Sequence, residues 1–207
     1  MNSVRDGIKT GVRRRGRPRK FDEGAVLDRA LALFWERGLA SPSLDELAAV
    51  MGMNRPSIAN AFGDKEAVYR TALAKFAAGA AEAMHAGLAA HADLARALTA
   101  FYEGALDVYC AGTGRGCFVM CTAPSAALAH PEVRADLRRI VDEIDAVLIR
   151  RFRQAQREGR LPPGRDAKAL AQLAQAVLHT LAIRARAGAP RASLRGLARH
   201  AVGLLTA

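Results

Sequence analysis

The chain has 207 residues, 51% of them apolar, with a formal charge of +11 at neutral pH and three cysteines. That length predicts one or two domains with enough apolar side chains for a real core. An odd cysteine count argues against a disulfide framework, no apolar run approaches the length of a membrane span, and the basic N-terminus lacks a secretory h-region, so a soluble cytoplasmic protein is expected.

The charge is uneven. Residues 1–20 carry eight Lys and Arg against Asp6 alone, whereas residues 21–64 carry three arginines against seven acids. Polar, Gly- and Arg-rich and nearly free of large apolar groups, residues 1–19 read as a disordered basic arm that orders on binding. Within the arm, RGRPRK (Arg15 to Lys20) resembles an AT-hook core. Pro18 keeps Arg17 extended, and a narrow A·T minor groove attracts arginine, so Arg17 and Arg19 are candidate DNA contacts. A solvated tail that meets phosphates without specificity fits the same residues.

A helix is predicted from about Asp22 to Arg37, with Val26, Leu27, Ala30, Leu31, Leu33 and Phe34 as its apolar stripe and Gly38 as its stop. Ser43 and Glu46 have the spacing of a capping box for the next helix. Residues 44–63, LDELAAVMGMNRPSIANAFG, then read as a helix-turn-helix. Leu44, Leu47, Ala48 and Met51 form one apolar face, Gly52 supplies a residue tolerant of positive φ, and Asn54 caps a second helix with Pro56 in its first turn. Ile58, Ala61 and Phe62 face inward, which leaves Arg55, Ser57, Ala59 and Asn60 outward, where a major groove would meet them.

Asp64 caps a further helix running toward Ala90, and the remainder is helical throughout. Predicted helices cover Leu94 to about Ala111, a segment after the GTGRG break, a long amphipathic helix from HPEVRADL to about Glu158, Asp166 to Ala187, and Ser193 to Leu205. No alternating strand pattern exists. The expected fold is all-α, with about nine helices: an N-terminal three-helix helix-turn-helix domain at 20–80 and a C-terminal ligand-binding and dimerisation domain at 81–207.

GRPRKFDEGAVLDRALALFWERG, SLDELAAVMGMNRPSIANAFGDKEAVY and the helix after them, roughly residues 16–80, resemble the TetR family of bacterial transcriptional regulators. The resemblance implies a homodimer formed through the last two helices, binding a palindromic double-stranded DNA operator and released from it by a small-molecule effector. It places Ser43 at a phosphate-contacting cap, Arg55, Ser57 and Asn60 on bases or phosphates, and Lys65 against the DNA backbone. Many members carry a tyrosine that contacts a phosphate where this chain has Ala59, so the basic arm is expected to compensate.

Leu170, Leu173, Ala174, Val177, Leu178 and Leu181 make one apolar stripe and Leu194, Leu197, Ala198, Ala201 and Leu205 another. They suit a dimer face, or a hairpin covering the chain's own core. A cavity between C-terminal helices is expected. Its candidate lining is Phe101, Tyr102, Tyr109, Cys117, Phe118, Cys121, His130, Phe152 and His179, with core packing as the competing role for the aromatics and His179. Cys117 and Cys121 share a helix face. They fit buried apolar packing, an electrophile or redox sensor activated by Arg115, or a weak metal pair. No GxSxG, HExxH, P-loop or dinucleotide glycine motif is present, so no enzyme, no cofactor and no metal site are expected. An architectural minor-groove binder using the arm alone is a further alternative.

Overall fold

Asp22 accepts the amides of Gly24 and Ala25 and so opens α1 (Glu23–Arg37) in the computed structural model, which describes residues 22–112 and 114–207. The arm predicted at 1–19, with Arg17 and Arg19, lies outside the described residues. Ser43 and Glu46 cap each other's amides in a reciprocal capping box at the start of α2 (Leu44–Met51). Gly52, at φ 65°, ends that helix in the left-handed region that an L side chain resists. Asn54 then caps α3 (Arg55–Ala61) through the Ser57 amide, 2.8 Å away.

Asp64 starts α4 (Lys65–Ala89), a single helix of 25 residues, so the domain boundary expected at residue 80 falls inside an element. α5 (Leu94–Tyr109), α6 (Phe118–Ala126), α7 (Pro131–Arg157), α8 (Ala167–Arg186) and α9 (Arg191–Thr206) complete nine helices, with no strand, among the described residues. The last helix begins two residues before the predicted Ser193, because Pro190 sets an extended entry and its carbonyl accepts the Ser193 and Leu194 amides.

One core joins the N-terminal helices to the rest. Trp35 of α1 meets Phe76 of α4 edge-on at 4.9 Å, Phe34 meets Tyr69 at 5.3 Å, and Phe118 of α6 packs against Trp35, Tyr69 and Phe76. Each such buried ring contributes about 1.5–3 kcal/mol of burial plus edge-to-face attraction. Inside this cluster the Tyr69 hydroxyl sits 2.7 Å from Thr122 Oγ1, and Thr122 already donates to the Phe118 carbonyl. Tyr69 must therefore be the donor.

α4 and α7 run side by side and are tied at both ends. Arg70 binds Asp136 at 2.6 Å, and the buried Arg151 donates to the carbonyls of Leu88, His91 and Ala92. The second tie places a cation on the carbonyl end of α4, where the helix dipole favours it. Between the two ties α4 presents Ala77, Ala80 and Ala81, and the helices do not close on each other.

The apolar stripes read for a dimer face divide differently in space. Leu170, Ala174, Leu178, Leu181, Leu194, Ala198, Ala201 and Leu205 are buried within the chain, where α8 and α9 pack on each other and on α5 and α7. The outward apolar residues are Leu173 (58% exposed), Ile183 (57%) and Leu204 (76%). The stripe is thus chiefly the chain's own core. Among the described residues no helix is long and apolar enough to cross a membrane.

Candidate functional site

The α2–α3 hairpin is held from below by Leu47, Ala48, Met51 and Ile58, all buried. Polar ties fix its orientation on α1: Arg29 donates to the Met51 carbonyl at 2.9 Å, and Arg37 donates to Glu46 at 2.7 Å. Glu46 accepts the Ser43 amide first and Arg37 second, and together they hold its carboxyl down at about 2, so the capping box stays charged at any physiological pH.

Arg55, Ala59 and Asn60 are exposed, and Ser57 is half-buried. The Ser43 hydroxyl oxygen accepts the Glu46 amide at 3.1 Å, and the residue is exposed. Lys65 donates to the carbonyls of Ala40 and Pro42, at 3.3 and 2.9 Å, and so ties the α1–α2 loop to the start of α4. An ammonium has three hydrogens, and these two bonds use two of them. Arg55 is held by the Asp45 carboxylate at 2.6 and 2.5 Å, an engagement that residue types and spacing did not reveal.

A cavity of about 270 Å³ lies among α4, α5, α6, α7 and α8, and it opens through the unfilled stretch between α4 and α7. Of the nine predicted lining residues, Tyr109, Cys117 and His179 border it. Phe101 borders a neighbouring recess of about 40 Å³. The other five are placed elsewhere. Tyr102 is buried with its hydroxyl on the Ala174 carbonyl, Phe118 belongs to the ring cluster, and Phe152 is fully buried. His130 binds Glu66 at 2.8 Å in the α6–α7 turn, and Cys121 sits beside Arg186. Tyr102, Phe118 and Phe152 do face inward, but periodicity did not show which neighbour lay there, and His130 and Cys121 are only partly buried.

The lining is mostly apolar, and besides His179 it includes His85, Glu143 and Arg150. Sequence reading missed these three, together with Met84, Met120 and the alanines of α4. The available signal was the run of small residues from Ala77 to Ala81, which cannot fill space opposite Ile140, Ile144 and Val147 of α7. Burial pushes His179 below the ordinary imidazole range, partly opposed by Asp145, so the ring facing the cavity is neutral at pH 7.

The thiols differ from the expected sensor geometry. Arg115 does not activate them; its guanidinium lies over the Trp35 ring, 4.9 Å from the centroid. Burial pushes the Cys117 thiol up to about 11, and burial likewise raises Cys121 against the opposing pull of Arg186. Neither is a thiolate near neutral pH, which removes the chemical basis for sensing through a depressed thiol.

Two family models match: "Bacterial regulatory proteins, tetR family" over residues 26–72 and "Tetracyclin repressor-like, C-terminal domain" over residues 93–201. The chain is 27% identical over 195 residues to the HTH-type transcriptional repressor ComR of Escherichia coli (strain K12), covering 93% of both proteins. Among solved structures, it is similar to a cysteine-substituted form of the TetR family transcriptional regulator CifR complexed with 26 bp double-strand operator DNA. There the TM-score is 0.84 at 28% identity, over 90% of this chain and 98% of that one. The reduced form of E. coli NemR shares the fold, with a TM-score of 0.73 at 16% identity over 88% of this chain and 94% of that one.

Proposed function

The chain belongs to the TetR family and is a DNA-binding transcriptional regulator, and from that premise we propose that it is a repressor released from its operator by a small, largely apolar molecule. The observation that carries this reading is the α2–Gly52–α3 hairpin, which buries Ile58 and turns Arg55, Ala59 and Asn60 outward. In the bound state Asn60, Arg55 and Ser57 meet base edges or phosphates of the major groove, Ser43 and Lys65 meet the sugar–phosphate backbone, and Arg17 and Arg19 reach the minor groove.

A homodimer places two hairpins on a palindromic operator, because one short helix contacts too few bases for specificity. Leu173, Ile183 and Leu204 supply the apolar face for that pairing through α8 and α9. An apolar cavity of about 150 Å³ accepts benzene, so by the same ratio this one takes a body on the order of ten carbon atoms. Entry between α4 and α7 moves α4, which packs on α1, the helix on which the hairpin rests. The protein acts by binding rather than catalysis, in the cytoplasm.

Selection of duplexes from a random pool tests the reading. The expected product is an inverted repeat with half-sites one helical turn apart, or a multiple of that, and Asn60→Ala relaxes preference at one position per half-site at a cost of about 1–3 kcal/mol. Recovery of unrelated sequences with no symmetry would overturn it.

A further inference from the structure

Besides α4 and the packing of Phe118 on Trp35, the cavity-bearing helices reach α1 through a polar contact. Arg186, in the last turn of α8, donates to the Trp35 carbonyl at 3.0 Å and to the Glu36 carbonyl at 3.2 Å. These are among the last carbonyls of α1, which have no helical partner and carry the negative end of its dipole. The same guanidinium donates to the Arg115 carbonyl at 3.2 Å, and that carbonyl also accepts the Trp35 indole N–H at 3.1 Å. α8, the α5–α6 loop and the end of α1 thus share one arginine.

The approach is built in. Gly116 has φ 69°, and a Cβ there would lie 2.4 Å from the Ala182 carbonyl of α8. Only glycine lets the loop lie this close. Both of the other partners also wall the cavity: Cys117 follows Gly116 directly, and Leu178 and His179 lie about two turns before Arg186 on α8. On the far side, Arg37 follows Glu36 and binds Glu46, the capping-box acid of α2.

We infer that Arg186 is a positioning residue for DNA binding: it seats α1, and through Arg37–Glu46 the recognition hairpin, on the two cavity walls. This rests on the DNA-binding reading, with Arg186 touching no DNA itself. A ligand that moves either wall thereby alters how the hairpin is held.

The test uses full-length Arg186→Ala and Arg186→Lys. Arg184→Ala serves as a control that removes the same charge from the same helical turn without contacting α1. Hydrogen exchange is followed over residues 34–46, and affinity for the duplex selected by the wild type is measured across a salt series. Arg186→Ala is expected to raise exchange there several-fold and to weaken the duplex about fivefold with an unchanged salt slope. Arg186→Lys recovers part of both, and Arg184→Ala leaves the exchange as in wild type.

Unchanged exchange in Arg186→Ala, or an affinity loss accompanied by a slope lower by about 1, as for a lost phosphate contact, overturns the inference. Should Arg186→Ala loosen the whole chain, Arg186→Gln, which keeps the aliphatic stem but loses the charge and the fork of donors on the α1 carbonyls, carries the same comparison. Exchange that answers to Arg186 in a protein that selects no duplex would keep the clamp and defeat the DNA-binding reading instead.

Discussion

The Asp45 carboxylate receives both Nε and a terminal nitrogen of Arg55, so the first residue of α3 is bound to the first turn of α2 before any DNA arrives. This pairing aims the guanidinium, and it also places a negative charge beside the surface proposed to meet phosphates.

Removing that charge is expected to strengthen binding. Asp45→Asn should raise duplex affinity a few-fold and steepen the salt dependence by up to about one unit, as Arg55 becomes free to meet a phosphate. Anisotropy titrations at several salt concentrations check this. Weaker binding in the variant would mean that Asp45 is needed to hold Arg55 in its reading position.

Two glycines give opposite results with the same substitution. Gly116→Ala forces a side chain onto positive φ and against the Ala182 carbonyl, and should cost about 2–5 kcal/mol. Gly79→Ala, within α4 and with open space where the new methyl group would stand, should stabilise by about 0.5–1 kcal/mol. Urea unfolding of both variants decides.

Acid should weaken the fold through His179. Its native value is depressed, so the native state holds the neutral ring more strongly than the unfolded chain does. The stabilising contribution is complete above the unfolded value, about 6.5, and is lost as pH falls from there through the lower native value. Between pH 7 and 5 the wild type should therefore lose stability that His179→Gln does not. Paired melting curves over that range measure the difference.

Assembly is expected to depend on the outward residues of α8 rather than on the stripe as a whole. Leu173→Glu with Ile183→Glu should yield a folded monomer by sedimentation and abolish binding to the inverted repeat. Leu128→Glu, exposed in the α6–α7 turn, should leave assembly intact.

Local features were legible because their causes are local. The Ser43–Glu46 box, the Gly52 turn and the Asn54 cap each depend on residues within a turn or two. Helix bounds read from them agree with the structure to a few residues. The α2–α3 hairpin was readable for the same reason. Cavity membership was not, since Tyr102 and Phe152 have the same inward periodicity as Tyr109 yet point into filled space.

The amino-acid order alone settled the helices, their caps and the outward side of α3, since hydrogen bonds between near neighbours and a 3.6-residue period decide those. Tertiary packing alone decided that Arg55 is held by Asp45, that alanines on α4 leave an opening beside α7, and that Arg186 reaches back 151 residues to Trp35. A void or a long-range contact is a relation between surfaces that meet only after folding, and no single helix encodes it.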